Sequence, residues 1–184
     1  MVELRRLGLD GLIEVRPSRS SDARGFFSET WKAEWSRELG FDGAFVQDNH
    51  SFSQNAGVLR GLHLQLSPAG QDKLVRVVRG AVFDVAVDVR KGSPTFGRYE
   101  SLVLSANEWN QLFIPKGFAH GFLTLVRDTE VLYKVSAPYA PERERAIRFD
   151  DPAIRIDWPR VDGPLTISDK DRAAPLLSEI ADDL

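Results

Sequence analysis

The chain has 184 residues, of which 42% are hydrophobic and 28% are charged, with a formal net charge of −3 and no cysteine. This size and balance predict one globular domain over residues 1–184, and the lack of cysteine excludes disulfides, a thiolate nucleophile and a cysteine zinc site. Because lysine and arginine are scattered and no apolar run reaches about eighteen residues, we expect no nucleic-acid partner, no signal peptide and no membrane association. These features are compatible with a cytoplasmic location.

Short β-branched and aromatic runs separated by turn sequences fill the chain from about residue 12 to residue 148. A helical pattern covers residues 31–39 and ends at Gly40. The clearest predicted strands cover residues 81–90, 103–104, 111–114, 122–126 and 131–135. After Ser168 a second helical stretch begins, and Pro175 limits its first helix to one or two turns. The pattern predicts an all-β sandwich or barrel with short peripheral helices.

Two of the three histidines are candidates for chemistry. His63 and His120 lie in polar, glycine-containing segments, whereas His50 is expected to be an ordinary hydrogen-bonded imidazole. Along the strand that contains His63, ideal alternation places Arg60 on the opposite face. Both side chains reach one cavity only if Gly61 marks a β-bulge, and we predict that bulge.

The segment that ends at His120 resembles the second motif of the cupins, small jelly-roll barrels that often hold a metal ion. The first cupin motif usually supplies two histidines and a glutamate, but this chain has His63-Leu64-Gln65 with no second histidine. Two imidazoles fall short of the three or four protein ligands that a stable divalent site needs. A cavity without metal or other cofactor is therefore favoured.

Seven sequence blocks, in order along the chain, resemble the dTDP-4-dehydrorhamnose 3,5-epimerase family of the cupin superfamily. They are residues 22–27, 45–51, 57–63, 73–76, 82–88, 93–97 and 114–122, and shorter matches extend the resemblance from about residue 12 to residue 177. The resemblance implies a cupin-type jelly roll that binds a dTDP-linked 4-keto-6-deoxy sugar and inverts C3 and C5 through an enolate. It also implies a homodimer, in which pairing between subunits covers exposed N-terminal strands.

The residue types suit this chemistry. An α-proton lies roughly ten pKa units above imidazole, which leaves ~14 kcal/mol to offset, so a base and an enolate stabiliser are both required. By resemblance, His63 is the base, Asp171 fixes its tautomer, Lys73 holds the C4 oxygen and Tyr133 returns a proton on the opposite face. Asp171 has an alternative explanation, because Ser168-x-x-Asp171 is also a helix-capping pattern.

The resemblance also supplies binding residues, since the chain has no glycine-rich phosphate loop. It assigns the pyrophosphate to Arg24, Arg60 and Lys170. It assigns nucleotide or sugar contacts to Glu29, Gln47 and Glu144, and stacking on thymine to Tyr139. His120 is expected to line the same cavity with Asp84 as its partner.

Three alternatives remain open at this point. A relative that inverts C3 alone or C5 alone needs the same base and acid, and the sequence does not separate it from a double epimerase. A metal-dependent cupin oxygenase would use His63, His120 and a carboxylate as ligands. A non-catalytic nucleotide-sugar binder would need the cavity but not its acid and base.

Overall fold

A computed structural model describes residues 2–184 of the chain. Within these residues the strands are β1 Val2–Arg6, β2 Ile13–Pro17, β3 Ser20–Asp22, β4 Gly25–Phe27, β5 Gln47–Ser53, β6 Val58–Gln65, β7 Lys73–Arg79, β8 Ala81–Asp88, β9 Tyr99–Ser105, β10 Gln111–Ile114, β11 Phe118–Thr124, β12 Thr129–Val135, β13 Glu144–Ala146 and β14 Thr166–Ile167. The α-helices are α1 Trp35–Leu39, α2 Asp169–Arg172 and α3 Leu177–Ile180. None of the helices in residues 2–184 is long and apolar enough to span a membrane.

Two sheets of mostly antiparallel strands form the framework. The first sheet has the order β1-β2-β10-β7-β12-β5, and the second has the order β13-β6-β11-β8-β9, with β14 paired in parallel to β6. Strands β3 and β4 form a separate hairpin. The prediction of an all-β fold with short peripheral helices is confirmed.

A central apolar core joins the two sheets. Val75 and Leu112 from the first sheet pack in one cluster with Val82, Leu104 and Phe118 from the second. Alternate residues on the same strands point outward, and these faces are covered as well. Helix α1 packs on the outer face of the first sheet, and the segment after residue 147 packs on the outer face of the second.

Several element boundaries differ from the sequence prediction, and two of the differences have a clear physical reason. The helix predicted over residues 31–39 is shorter in the structure and begins at Trp35. Trp31 lies before the helix and packs edge-on against Phe45, with the ring centroids 4.7 Å apart. Gly40 ends α1 in the left-handed conformation, as expected, with φ of 68°. Strand β11 begins at Phe118 rather than at residue 122. Every residue of this strand is buried, so it shows no polar alternation that would mark its start.

The predicted β-bulge at Gly61 is confirmed. His63 of β6 pairs with His120 of β11, and Arg60 pairs with Phe122. These pairs are three residues apart on β6 but only two apart on β11, so β6 contains one extra residue. The extra residue brings Arg60 and His63 to the same cavity. Gly61 has φ of 119°, a backbone angle that residues with a side chain rarely adopt.

Gly61→Ala should therefore destabilise the protein by about 3 kcal/mol. A Cβ atom at this position would lie 2.5 Å from the Cα atom of Gly121 and 2.7 Å from the carbonyl oxygen of His120, in addition to the unfavourable φ. Urea unfolding measures the change. Gly92→Ala is the matched control, because Gly92 has φ of 78° but no atom within 4 Å of the added Cβ. Equal losses in the two variants would show that the close approach of β6 and β11 is unimportant.

Candidate active site

A cavity of about 710 Å³ opens between the two sheets. Strands β5, β7 and β12 of the first sheet and β6 and β11 of the second supply its walls, together with residues near α2. The sequence-predicted residues that line it are Gln47, Arg60, His63, Lys73, His120, Tyr133, Tyr139, Glu144, Lys170 and Asp171. Residues that are far apart in the sequence therefore line one continuous cavity.

His63 and Asp171 form a hydrogen-bonded pair. The Nε2 atom of His63 lies 2.7 Å from Oδ1 of Asp171, within the distance that an orienting carboxylate requires. Asp171 is almost completely buried, at 4% exposure. A proton on Nε2 directed at the carboxylate leaves Nδ1 as an unprotonated acceptor. The pair can thus act as a general base whose tautomer is fixed.

The helix-capping role suggested by the Ser168-x-x-Asp171 pattern belongs to Ser168 and not to the carboxylate of Asp171. Ser168 is the N-cap of α2, and its Oγ accepts a hydrogen bond from the backbone N–H of Asp171 at 3.1 Å. The carboxylate of Asp171 instead accepts from the backbone N–H of Gly61 at 3.3 Å and contacts His63. Burial opposes ionisation of Asp171, but the hydrogen bonds from His63, Gly61 and Ser168 outweigh it and lower its pKa. The serine caps the helix, and the aspartate stays charged beside His63.

His120 and Asp84 form a second histidine–carboxylate pair. His120 Nε2 lies 2.9 Å and 3.0 Å from the two carboxylate oxygens of Asp84, which is completely buried. His120 is also the direct cross-strand partner of His63. The predicted pairing is therefore present. His50 lies elsewhere, on the exposed surface, with Nε2 2.9 Å from a carboxylate oxygen of Glu130.

Lys73 is a buried cation at the cavity wall. Its side chain is only 8% exposed, and Nζ donates a long hydrogen bond of 3.4 Å to the backbone oxygen of His63. Burial lowers the pKa of Lys73 to about 8, although the nearby charges of Asp84 and Glu144 raise it. A buried ammonium with so few partners can interact strongly with negative charge that develops on a ligand.

The lysine pKa predicts an alkaline limit to activity. If the ammonium stabilises the reacting oxygen, kcat/KM should fall above about pH 8, as Lys73 loses its proton in the free enzyme. Lys73→Arg should move this decline to higher pH, because guanidinium does not deprotonate in this range. Rate measurements between about pH 6 and pH 10 test this, with the exposed Lys116→Met variant as the control. The same alkaline decline in wild type and Lys73→Arg would assign it to another group.

Tyr133 faces the same cavity from β12. Burial raises the pKa of its phenol, and the charge of Glu144 acts in the same direction, while Arg60 partly opposes the shift. The phenol is therefore protonated at neutral pH and able to donate a proton. Asn49, its direct cross-strand neighbour on β5, also lines the cavity.

The mouth of the cavity carries a polar cluster around Glu144. Tyr139 donates a hydrogen bond from its hydroxyl to Glu144 at 2.9 Å, and Lys170 forms an ion pair with the same carboxylate. Gln47 accepts from the backbone N–H of Tyr139 at 3.3 Å. Burial raises the pKa of Glu144, but the hydrogen bonds from Lys170 and Tyr139 outweigh it and lower it. Tyr139 is 56% exposed, which leaves its ring free to stack on a planar ligand.

Two predicted binding residues lie outside the cavity of their own chain. Arg24 is in the turn of the β3–β4 hairpin, where its side chain is 90% exposed and pairs with Asp22. Glu29 follows the hairpin and pairs with Lys32 at 2.6 Å. Neither residue lines the cavity. The strands of the hairpin are exposed, although Phe26 packs edge-on against Trp109, and no hairpin residue contributes to the wall of this site.

Sequence reasoning missed several cavity residues, among them Asn49, Ser51 and Gln71. Gln47, Asn49 and Ser51 are alternate residues of β5, so they share one face of the strand. The run Gln-Asp-Asn-His-Ser is polar at every position, which hides this alternation. The pairing of β5 with β12 would have identified the inward face, because Asn49 lies directly opposite Tyr133, which was already a candidate.

The positions of the histidine and carboxylate side chains show whether the cavity can hold a metal ion. In residues 2–184, no group of three or more histidine, aspartate or glutamate side chains is placed to hold a metal ion. His63 and His120 each direct Nε2 at a different carboxylate. The two histidines therefore belong to separate pairs.

Comparison with known proteins identifies the family. The sequence profile of the dTDP-4-dehydrorhamnose 3,5-epimerase family matches residues 6–179. The chain belongs to this family. A dTDP-4-dehydrorhamnose 3,5-epimerase from Sinorhizobium fredii is 51% identical over 166 residues, covering 90% of this chain and 85% of the relative. Another, from Pseudomonas aeruginosa, is 51% identical over 168 residues, covering 91% of each chain.

A solved structure extends the family likeness to the whole fold. The crystal structure of a dTDP-6-deoxy-D-glucose-3,5-epimerase from Legionella pneumophila, in complex with dTDP-4-keto-L-rhamnose, has a TM-score of 0.93 and 45% identity to this chain. The match covers 98% of this chain and 95% of the other. The predicted cupin-type jelly roll is confirmed. Membership of an epimerase family makes the chain an isomerase and decides against the oxygenase and the non-catalytic binder.

Proposed function

We propose that this protein inverts C3 and C5 of dTDP-4-dehydro-6-deoxy-D-glucose and so forms dTDP-4-dehydro-L-rhamnose. The observation that carries the proposal is the pairing of His63 with a buried carboxylate at 2.7 Å, in a cavity that also holds Lys73 and Tyr133. These groups supply a base, an oxyanion partner and an acid, which are the three functions that epimerisation next to a ketone needs. The family membership supports the same substrate.

Each inversion proceeds in two proton transfers. His63 Nδ1 takes the proton from the carbon next to the ketone, the electrons of that C–H bond form a carbon–carbon double bond, and the C4 oxygen becomes an enolate. Lys73 stabilises the negative oxygen, and Asp171 stabilises the imidazolium. Tyr133 then donates its phenolic proton to the opposite face of the same carbon, and the carbonyl forms again. Exchange with water then removes the extra proton from His63 and returns one to Tyr133.

The ~14 kcal/mol separating the α-proton from imidazole has to be offset within the cavity. A general base and a general acid each contribute about 10²–10⁴-fold, and one well-placed oxyanion donor contributes about 10²–10³-fold. Lys73 is suited to the oxyanion role because burial has removed most of its competing water. The charged side chain supplies the electrostatic stabilisation, so this scheme requires neither metal nor organic cofactor.

The nucleotide part of the substrate fits the polar mouth of the cavity. Tyr139 stacks on the thymine, while Arg60 and Lys170 contact the pyrophosphate. Glu144 fixes Tyr139 and Lys170 in place through the contacts that it already makes. Gln47 and His120 complete the contacts to the sugar nucleotide along the wall.

Proton NMR in deuterated water tests the proposed function. With dTDP-4-dehydro-6-deoxyglucose as substrate, deuterium should appear at both C3 and C5, and the product should have both centres inverted. Deuterium at one carbon only would establish the single epimerase instead. No exchange at either carbon would contradict the epimerase assignment.

We also propose that the protein acts as a homodimer in which the β3–β4 hairpin of one subunit completes the site of the other. Phe26 and Phe27 are adjacent in this hairpin and 53% and 72% exposed, so the hairpin presents an apolar surface that a partner subunit would cover. Arg24 and Glu29 lie on this hairpin and at its end, outside the cavity of their own chain. A second copy would bring them to the pyrophosphate and the nucleotide.

Complementation between two inactive variants tests this shared site. Arg24→Ala and His63→Ala chains, when co-expressed, should recover about a quarter of wild-type activity, because half of the dimers are mixed and each mixed dimer has one intact site. Each variant alone should stay far below that value. No recovery from a mixed dimer that forms would place Arg24 in the site of its own chain, whereas wild-type activity of Arg24→Ala alone would place Arg24 outside any site.

Three further properties are proposed from the composition of the chain. The single domain over residues 1–184, the cytoplasmic location and the lack of a nucleic-acid partner remain predictions. They are consistent with a metabolic enzyme that acts on a free sugar nucleotide.

A further inference from the structure

Ser51 carries an unexplained polar group in the wall of the active-site cavity. Ser51 is one of the β5 residues that line the cavity, although its Oγ atom is itself buried. Within residues 2–184, its Oγ is the only buried side-chain oxygen or nitrogen that lacks a hydrogen-bond partner. Buried hydroxyl groups are nearly always hydrogen-bonded, since burial without a partner costs free energy. An unpartnered hydroxyl at a ligand cavity therefore needs an explanation.

The other polar residues on this face of β5 already have partners. Gln47 donates from Nε2 to Oδ1 of Asn49 at 2.8 Å, and it accepts from the backbone of Tyr139 at 3.3 Å. Only Ser51, the third residue on this face to line the cavity, is left without such a contact among the described residues. Its hydroxyl is available for a ligand.

The strand register places Ser51 at the inner end of the cavity. Asn49 pairs with Tyr133, and two residues further along Ser51 pairs with Val131. Val131 is 1% exposed and belongs to the central apolar core, as does its own partner Val77 on β7. Ser51 is thus the polar member of an otherwise apolar row, one row further from the nucleotide-binding mouth than Tyr133. Because Tyr133, the proposed acid, lies in the adjacent row, we assign a ligand group that reaches Ser51 to the sugar.

We propose that Ser51 is a specificity-determining residue whose hydroxyl forms a hydrogen bond with a ring hydroxyl of the bound hexose. Because Oγ is buried in the free protein, this hydrogen bond requires rotation about the Cα–Cβ bond to another serine rotamer. The bond fixes the rotation of the sugar ring between His63 and Tyr133. That rotation decides whether the hydrogen on C3 or on C5 faces the base. The inference rests on the proposed epimerase function and adds a residue that controls which carbon reacts.

Two variants and two ligands test the proposal. Ser51→Ala should fold at least as well as the wild type, because it removes a hydroxyl that has no partner in the free protein. Its kcat/KM for dTDP-4-dehydro-6-deoxyglucose should fall about three- to tenfold. The ratio of deuterium incorporation at C3 to that at C5 should change by a similar factor. Ser51→Thr keeps the hydroxyl and should restore the wild-type ratio. Affinity for dTDP, which lacks the hexose, should be unchanged in both variants.

The outcomes separate this inference from the proposed function. If wild type incorporates deuterium at both carbons and Ser51→Ala shows the same ratio and the same kcat/KM, Ser51 has no role in sugar placement and the inference is wrong. A loss of dTDP affinity equal to the loss of kcat/KM would also overturn it, because the residue would then act on the nucleotide. If wild type itself shows no exchange, the proposed function fails first. Thermal unfolding of each variant shows whether a change in rate reflects a change in folding.

Discussion

His63→Asn is expected to reduce deuterium exchange at C3 and C5 by about 10²–10⁴-fold, the contribution of a well-placed general base. The shorter asparagine side chain cannot place an N–H where Nε2 lies, so Asp171 keeps only the hydrogen bonds from its other partners, such as the backbone of Gly61. The asparagine has no basic nitrogen to accept a proton. His63→Ala should cause a similar loss of rate. It should also lower stability, because it leaves the charge of Asp171 buried without its imidazole partner.

The measurement is the rate of deuterium incorporation in deuterated water, followed by proton NMR. Affinity for dTDP should stay near that of the wild type, because His63 is assigned to the sugar. His50→Ala is the matched control: its imidazole also lies near a carboxylate, but it is half exposed and outside the cavity. That variant should retain its rate within about twofold. Retention of more than about a tenth of the exchange rate in His63→Asn would require another base.

The bulge at Gly61 shows how far residue patterns alone can reach. Alternation placed Arg60 and His63 on opposite faces, and a glycine between them was the one local feature able to correct this. The structure has that bulge, with Gly61 lying so close to Gly121 that a side chain would not fit. Here a specific tertiary feature followed from four residues of sequence.

Other parts of the site needed more than local sequence. Asp171 reaches His63 from 108 positions away, and no periodicity predicts such a contact, so only the family resemblance suggested it. Asn49 and Ser51 were missed because β5 is polar on both faces, and only its register to β12 shows which face is inward. Arg24 and Glu29 lie outside the cavity of their own chain, and the proposed homodimer is what assigns them to a site. Propensity and alternation describe one strand at a time, whereas these features depend on how strands and subunits meet.

Tyr133→Phe is expected to separate proton exchange from inversion. The change removes only the phenolic oxygen and preserves the ring, so packing against the wall of the cavity should persist. His63 can still remove the proton from one face and return a deuteron to that same face. Exchange should therefore remain within about tenfold of wild type, while formation of the inverted product falls by about 10²–10⁴-fold.

Proton NMR measures both quantities in one sample, because retained and inverted products have different ring couplings. Tyr99→Phe is the matched control: its hydroxyl accepts a hydrogen bond from the backbone of Asp157 and lies outside the cavity. It should leave exchange and inversion unchanged. A parallel fall of exchange and inversion in Tyr133→Phe would mean that the phenol is needed before the proton leaves, for example to bind the ketone. Undiminished inversion would mean that another group protonates the second face. His63 lies on β6 of one sheet and Tyr133 on β12 of the other, and both line the cavity. In the proposed mechanism the sugar binds between them, so each group reaches only one face of the ring, and the expected separation follows from this arrangement.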